Sequence, residues 1–236
     1  MKNILILCFL AISTIAPAQN NKSLVFFKNG EKQLSIQVQQ VDSIVFDNNT
    51  SGPEPPEPSG DAVDLGLSVL WATRNVGAEK PQDYGYYLSW GELAPKETYT
   101  NETYEYAYVE TLNYIDIYGT QYDAAHVLWG DNWRMPTSAE CEELVQNCTW
   151  EWCSLEDTNG IKVTGPSGKS IFLPAGGFPN WSGWNRVGEY GTYWTGSNTS
   201  ETIIACYFCF DSGSFQVTSW DGAKYVGQLV RPVRPK

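Results

Sequence analysis

The residue types that carry chemistry are thinly spread in this chain, and their spacing narrows what they do. Cys206 and Cys209 form a Cys-x-x-Cys pair inside the run ACYFCF (205–210). In an extended strand, positions three apart face opposite ways and stand about 10 Å from each other, so the two thiols do not meet. No histidine or basic cluster stands nearby in sequence to lower a thiol pKa. His126 is the chain's single histidine, which excludes a multi-histidine zinc site. A Ser-His-Asp arrangement would rest on that one imidazole, and no nucleophile elbow accompanies it. The run GPSGKS (165–170) has the composition of a phosphate loop but the wrong glycine spacing. It falls between two strand-like runs and reads as a hairpin turn. These patterns predict no catalytic residues, no metal site and no organic cofactor.

Groups suited to binding are better supplied. The segment FPNWSGWNRVGEYG (178–191) sets Asn180, Trp181, Trp184, Asn185 and Arg186 among glycines, too polar a setting for a core element. Tryptophan with amide and guanidinium neighbours suits stacking on a sugar face or anchoring a protein partner. The segment SWDGAKYVG (219–227) offers Trp220, Asp221, Lys224 and Tyr225 in the same manner. The competing reading is that the tryptophans only cover the core. The two segments together predict a ligand surface.

Bulk properties set the compartment. Residues 1–18 carry one basic residue, Lys2, then an apolar run and the small-residue ending Ala16-Pro17-Ala18. That is the pattern of a secretory signal peptide, too short to span a membrane. Its removal takes the formal charge from -12 to -13 and the cysteines from six to five. Between Glu79 and Asp157 there are 16 acidic against 3 basic residues, and 10 of the 14 tyrosines lie there too. With no basic patch and a repulsive field for phosphate, nucleic acid is excluded as a partner. The odd cysteine count leaves a thiol unpaired, and Cys148 with Cys153 is the one local pairing that geometry permits.

The elements that must position these groups follow from periodicity. Strand candidates are 67–72, 86–90, 161–164, 170–173, 192–196, 205–210, 215–219 and 228–233. A helix is predicted over 138–147, because Thr137 and Glu140 form a capping box and Pro136 fixes the entry. A second, weaker helical pattern covers either 120–127 or part of the tyrosine-rich stretch before it. The class is α+β, with many short strands and one clear helix. Ahead of it, Asn29-Gly30 reads as a hairpin turn, Leu34, Ile36 and Val38 alternate, and 43–46 is a third apolar run. So short a unit cannot bury enough surface to stand alone. The proline-rich run NNTSGPEPPEPSG (48–60) is a linker. The organisation expected is a signal peptide at 1–18, a small β module at 19–47, the linker at 48–60 and a domain at 61–236.

Five runs of that domain carry a resemblance: VDLGLSVLWATRNVGAEKPQDYGYYLSWGE (63–92), WGDNWRMPTSAECEELVQNCTWEW (129–152), GIKVTGPSGKSIFLPAGGF (160–178), GTYWTGS (191–197) and VRPVR (230–234). In this order they resemble the Fibrobacter succinogenes major paralogous domain. The resemblance implies a C-type lectin-like fold of the formylglycine-generating-enzyme type. It also implies a secreted or surface protein of Bacteroidetes kind, residing in the periplasm, on the cell surface or outside the cell. An enzyme of that type needs two reactive cysteines near the C-terminal end, and the spacing of Cys206 and Cys209 is narrower than the resemblance requires. Lectin-like folds often carry calcium, and Asp131, Asn132, Asp211 and Asp221 offer hard oxygens for a structural ion. The sugar-ligating triplets of calcium-dependent lectins are missing, and Arg186 stands where an acid would be wanted. Arg134, in the run leading into the helix, is expected to be scaffold: an ion pair or carbonyl cap at the strand-to-helix corner. The reading is an exported, non-catalytic binding or adhesion protein whose loops recognise a glycan or a surface protein. The alternative is a structural component of a surface appendage or envelope complex, and an oxidative enzyme ranks below both.

Overall fold

The structure, a computed structural model, describes the backbone of residues 23–28 and 31–37, and residues 62–236 apart from 108, 110, 111, 113, 131, 181 and 219–221. The described residues fall into two units, divided between Glu54 and Pro55. The expected signal peptide, the linker and the third apolar run at 43–46 lie outside the described residues.

In the first unit, β1 (Ser23–Lys28) pairs antiparallel with β2 (Glu31–Gln37). Two residues connect them, at the position where Asn-Gly predicts a tight turn. The register shifts by one between Phe26 and Phe27, a bulge that increases the local twist.

The second unit is built from small antiparallel sheets and few helices, as the α+β expectation requires. Two sheets lie towards its chain ends and middle. β3 (Ala62–Val63), β4 (Leu70–Ala72) and β13 (Val233–Arg234) form one, with β4 central, so the two ends of the unit are tied together. β5 (Thr149–Leu155), β6 (Thr158–Thr164) and β7 (Ser170–Pro174) form a meander. The β6–β7 connection is the turn expected of GPSGKS, closed by Gly165 N–H donating to Lys169 O and by a left-handed Gly168 at φ 81°. β5 was not among the strand candidates, although Trp150, Glu151 and Trp152 alternate as a half-buried strand should.

The sheet that organises the core is β10 (Gly191–Asn198), β11 (Ala205–Phe210) and β12 (Phe215–Thr218), with β11 in the middle. Both of its faces are covered, which is why ACYFCF is apolar throughout. Tyr193, Phe208 and Phe210 face one cluster, with Trp71, Leu173 and Leu144. Trp194, Tyr207 and Cys209 face the other, with Trp90, Leu112 and Met135. Tyr193 stacks on Phe208 with ring centroids 4.9 Å apart.

Helix α2 (Ser138–Asn147) occupies the predicted residues and packs against β10, β11 and β12 through Cys141 and Leu144. Thr137 and Glu140 close the capping box reciprocally. Helix α1 (Ala124–Trp129) starts four residues later than the 120–127 pattern suggests. Asp123 is the cause: its carboxylate accepts from Ala125 N and His126 N, so the first turn begins only after it.

Two strand candidates are largely replaced by isolated bridges. In 86–90 alternate amides do donate, but to two different segments: Tyr86 to Val76 O, and Leu88 and Trp90 to Gln228 O and Lys224 O. Only the Leu88–Gln228 pair is a bridge. In 228–233 Pro232 has no N–H, and Leu229 instead bridges Tyr193 in parallel. Arg231 is fully buried and spends its guanidinium on Asn75 Oδ1, Ala72 O and Phe172 O at 2.7–3.0 Å.

Candidate binding cleft

The two segments rich in binding groups converge. Residues 178–185 fold as a short hairpin, β8 (Phe178–Asn180) against β9 (Gly183–Asn185), rather than as an open loop. Asn180 sets its turn: Oδ1 accepts from Ser182 N, Ser182 Oγ and Asn185 Nδ2 at 2.7–3.0 Å. Gly177 makes the approach possible, since a Cβ there would sit 2.1 Å from Asn185 O. The chain then turns through Arg186, whose carbonyl accepts from Glu189 N and Tyr190 N, and enters β10. The 223–228 segment runs alongside, held by Gly227 N–H donating to Pro179 O and by the Gln228–Leu88 bridge.

Between these segments and β10–β11 lies a cleft of about 330 Å³, near the lower end of the range usual for small-ligand sites. Asn180, Arg186, Tyr190 and Tyr225 line it on the outer side, and Thr192, Tyr207 and Gln228 close its buried end. Phe178, Ala223 and Val226 complete the wall. Of the residues expected to contact a ligand, Asn180, Arg186 and Tyr225 therefore share one cavity. Asn185 supports it from behind through Asn180.

Trp184 is 63% exposed and rests its ring edge against Tyr87 at 4.7 Å, beside the cleft rather than in its lining. Trp181, Trp220 and Asp221 lie outside the described residues. Lys224 is displaced from the expected surface. It is only 2% exposed, and its ammonium donates to Leu112 O and Thr202 O and lies 4.6 Å from the Trp90 ring centroid. Strand-like alternation turns Lys224 inward where Tyr225 turns out, and burial pushes its amine down to about 8.

Among the described residues that line the cleft, Arg186 is the one cation. Its guanidinium carbon lies 4.2 Å from the Tyr190 ring centroid, and Nη2 is 3.7 Å from Asp211 Oδ2. Its φ of 53° puts a non-glycine residue in the left-handed region, a conformation found disproportionately at functional sites. Asp211 itself closes the β11–β12 turn, with Oδ1 accepting from Gly213 N, Ser214 N and Ser214 Oγ. Those backbone amides, first Gly213, hold its carboxyl below the usual range.

Sequence reasoning passed over Phe178, Tyr190, Thr192, Tyr207, Ala223, Val226 and Gln228. Gln228 carried the one available signal, an amide in an otherwise apolar run, QLVRPV.

The groups with covalent chemistry sit elsewhere or are restrained. Cys141, Cys148, Cys153, Cys206 and Cys209 are all free, so the Cys148–Cys153 pairing is not made. Cys148 ends α2 while Cys153 stands inside β5. Burial pushes the thiols of Cys206 and Cys209 up, opposite to the shift that activates a nucleophile. Among the described residues no group of three or more His, Cys, Asp or Glu is placed to hold a metal ion. Asp131 and Asp221, two of the candidate calcium ligands, are not among them.

Arg134 holds the strand-to-helix corner. It forms a two-pronged pair with Glu140 (2.8 and 2.5 Å), and Nη1 also donates to Met135 O. Glu140 Oε2 accepts in addition from Thr137 N, so the ion pair and the helix cap share one carboxylate.

Among the described residues no helix is long and apolar enough to cross a membrane. The chain matches no protein-family model, and neither a curated protein nor a solved structure is significantly similar to it.

Proposed function

We propose that this is an exported, non-catalytic binding protein that recognises a glycan or a surface protein through the cleft between β8–β9 and the 223–228 segment, on a C-type lectin-like domain. The single observation supporting this is the convergence of Asn180, Arg186 and Tyr225, from two segments some 40 residues apart, on one cleft. The aromatic, amide and guanidinium groups there suit a polar ligand with apolar faces.

The test is a screen of the full chain against a glycan array and against envelope proteins of its source, with and without calcium. Ala223→Arg is screened in parallel. Ala223 lines the cleft and is only partly buried, so the longer side chain fills the cavity while leaving its polar groups in place. Binding that Ala223→Arg abolishes, with the melting temperature within a few degrees of wild type, supports the cleft. Binding that survives the substitution places recognition elsewhere and overturns the proposal.

A further inference from the structure

Arg186 has more hydrogen-bonding capacity than its surroundings take up. A guanidinium carries five donors, yet among the described residues this one donates no hydrogen bond, and its one ion partner, Asp211, stays at 3.7 Å. Asp211 cannot close that gap without breaking its own turn, because Oδ1 is fixed by Gly213 N, Ser214 N and Ser214 Oγ at 2.9–3.0 Å. Both partners are partly exposed, 48% and 32% of their side chains, so the pair is weak and easily exchanged. The guanidinium is held in place all the same. Its carbon lies 4.2 Å from the Tyr190 ring centroid, and Tyr190 N donates to Arg186 O, so one turn sets both groups on the cleft wall. Asn180, on the same wall, does not compete for these donors, since its Oδ1 already accepts from Ser182 N, Ser182 Oγ and Asn185 Nδ2.

We infer that the cleft takes the terminal acidic sugar of a glycan, its carboxylate paired with the Arg186 guanidinium and its ring against the aromatic wall. This rests on the cleft being the binding site. A guanidinium offers parallel N–H donors that match the two oxygens of a carboxylate, and such charge-assisted bonds are about twice as strong as neutral ones. A ligand carboxylate free to approach to bonding distance therefore outcompetes Asp211, which is not. The chain's formal charge of -12 repels polyanions, which selects a single charge gripped at close range. The sugar follows from the wall: Phe178, Tyr190, Tyr207 and Tyr225 suit the C–H face of a ring. A peptide terminus would instead bring N–H donors to a wall whose amide oxygen, Asn180 Oδ1, is already taken. The unit is terminal because buried Thr192, Tyr207 and Gln228 close the inner end, so no chain runs through.

The experiment uses the full chain in calcium-free buffer with chelator. The probes are methyl glycosides of hexuronic acids and of N-acetylneuraminic acid, each beside its uncharged carboxamide, and short peptides with free or amidated C-termini. Saturation-transfer NMR detects binding and calorimetry measures it. One acidic sugar should bind, and its carboxamide should bind about tenfold or more weakly. Arg186→Gln should weaken the acid by a similar factor and leave the carboxamide almost unchanged, because both changes remove the same pair. Asp211→Asn should strengthen the acid about threefold or more: the competing charge is gone, while the amide oxygen still accepts the turn's three bonds. An acid and carboxamide bound equally, a preference for the acid that survives Arg186→Gln, an acid weakened by Asp211→Asn, Arg186-dependent binding of free peptide C-termini alone, or no acidic sugar bound at all each overturns the inference. The cleft reading is tested separately with Ala223→Trp, which fills the cleft without adding a charge that would itself attract an anion. A neutral or protein ligand lost in Ala223→Trp keeps the cleft and removes the acidic sugar, whereas an acidic sugar indifferent to Ala223→Trp removes both.

Discussion

Arg134 and Arg186 stand at the two ends of what an arginine does in this domain. Arg134 is held by both oxygens of Glu140 and by Met135 O, and its side chain is 22% exposed. Arg186 has a single loose partner at 3.7 Å, lies over Tyr190 and keeps 48% of its side chain in solvent. The first sits at a corner where both Nη atoms donate to internal acceptors, three bonds in all. The second sits on a left-handed residue at the mouth of a cleft. Residue type does not separate them, since both are flanked by tryptophan or asparagine in glycine-rich or proline-bearing runs. What separates them is how completely the surrounding backbone has consumed their hydrogen-bonding capacity. A consumed side chain specifies structure, and an unconsumed one is available to a ligand.

The corner's dependence on consumed groups gives the largest expected effect. Asp123 is fully buried, and its carboxylate accepts from four amides: Ala125 and His126 at Oδ1, Gly119 and Met135 at Oδ2. Burial raises its carboxyl, and the four amides oppose that shift. Asp123→Asn relieves the buried charge but turns an amino group against two amide donors. With each unsatisfied buried donor costing about 1–3 kcal/mol, the variant should lose about 3 kcal/mol or more of unfolding free energy. Chemical denaturation of the full chain measures it, and a loss under about 1 kcal/mol would show that the corner is not held as argued. The first turn of α1 should fray in the same variant, seen as faster amide exchange at Ala125 and His126.

Lys224 and Tyr225 sharpen the contrast at single-residue resolution, being neighbours in sequence with one turned inward and one lining the cleft. Lys224 leads to a pH dependence. Its amine titrates near 8 when folded and at the ordinary 10.5 when unfolded. Between those values the unfolded chain holds a proton that the folded chain has released, so this contribution to stability rises with pH and is lost again as pH falls through 8. Buried thiols act oppositely: Cys148 is pushed up to about 11, so from about pH 9 upward the folded chain keeps a proton that the unfolded chain loses. The wild type therefore gains little overall at alkaline pH. In Lys224→Met only the thiol and tyrosine contributions remain. The stability difference, wild type minus variant, should widen by on the order of 1 kcal/mol from pH 7.5 to 10. A difference that stays constant or narrows would mean that Lys224 is not the buried cation described.

The sequence was most legible where the deciding interactions are local. The start of α2 follows from Pro136, Thr137 and Glu140, three residues within one turn. β11 was readable because a run of six residues fills a strand buried on both faces. β5 was missed although Trp150 and Trp152 alternate, because its connection to β6 turns through Glu156 and Asp157 at φ 45° and 66°, without the glycine or asparagine that usually marks such a turn. The cleft was half legible. Its outer residues announced themselves by being too polar for a core. Its buried end, Thr192, Tyr207 and Gln228, lay inside apolar strand candidates, and no local pattern says which face of a strand stays open to a ligand. Lys224 failed for the converse reason. A charged residue in a polar loop was assigned to solvent, and only the carbonyls of Leu112 and Thr202, distant in sequence, turn it inward.

The smallest expected stability effect is the one that tests the comparison most directly. Arg186→Gly removes an exposed ion pair worth about 0–1 kcal/mol and a partly exposed contact with Tyr190 worth about 0.5–1 kcal/mol. It also gives the left-handed position a residue that adopts it without steric cost, a gain of about 1 kcal/mol set against the larger entropy of an unfolded glycine. These contributions nearly cancel, so unfolding free energy should stay within about 0.5 kcal/mol of wild type. Affinity for a cleft ligand should fall about tenfold or more, because the mouth loses the only guanidinium among its described residues. If stability instead drops by 2 kcal/mol or more, Arg186 is scaffold like Arg134, and the difference in exposure between the two has been misread. If stability holds and affinity holds too, the donors at the mouth are dispensable, and recognition must rest on the buried end and the aromatic walls. Only the combination of unchanged stability and lost affinity makes the left-handed backbone at residue 186 a conformation kept for the ligand rather than for the fold.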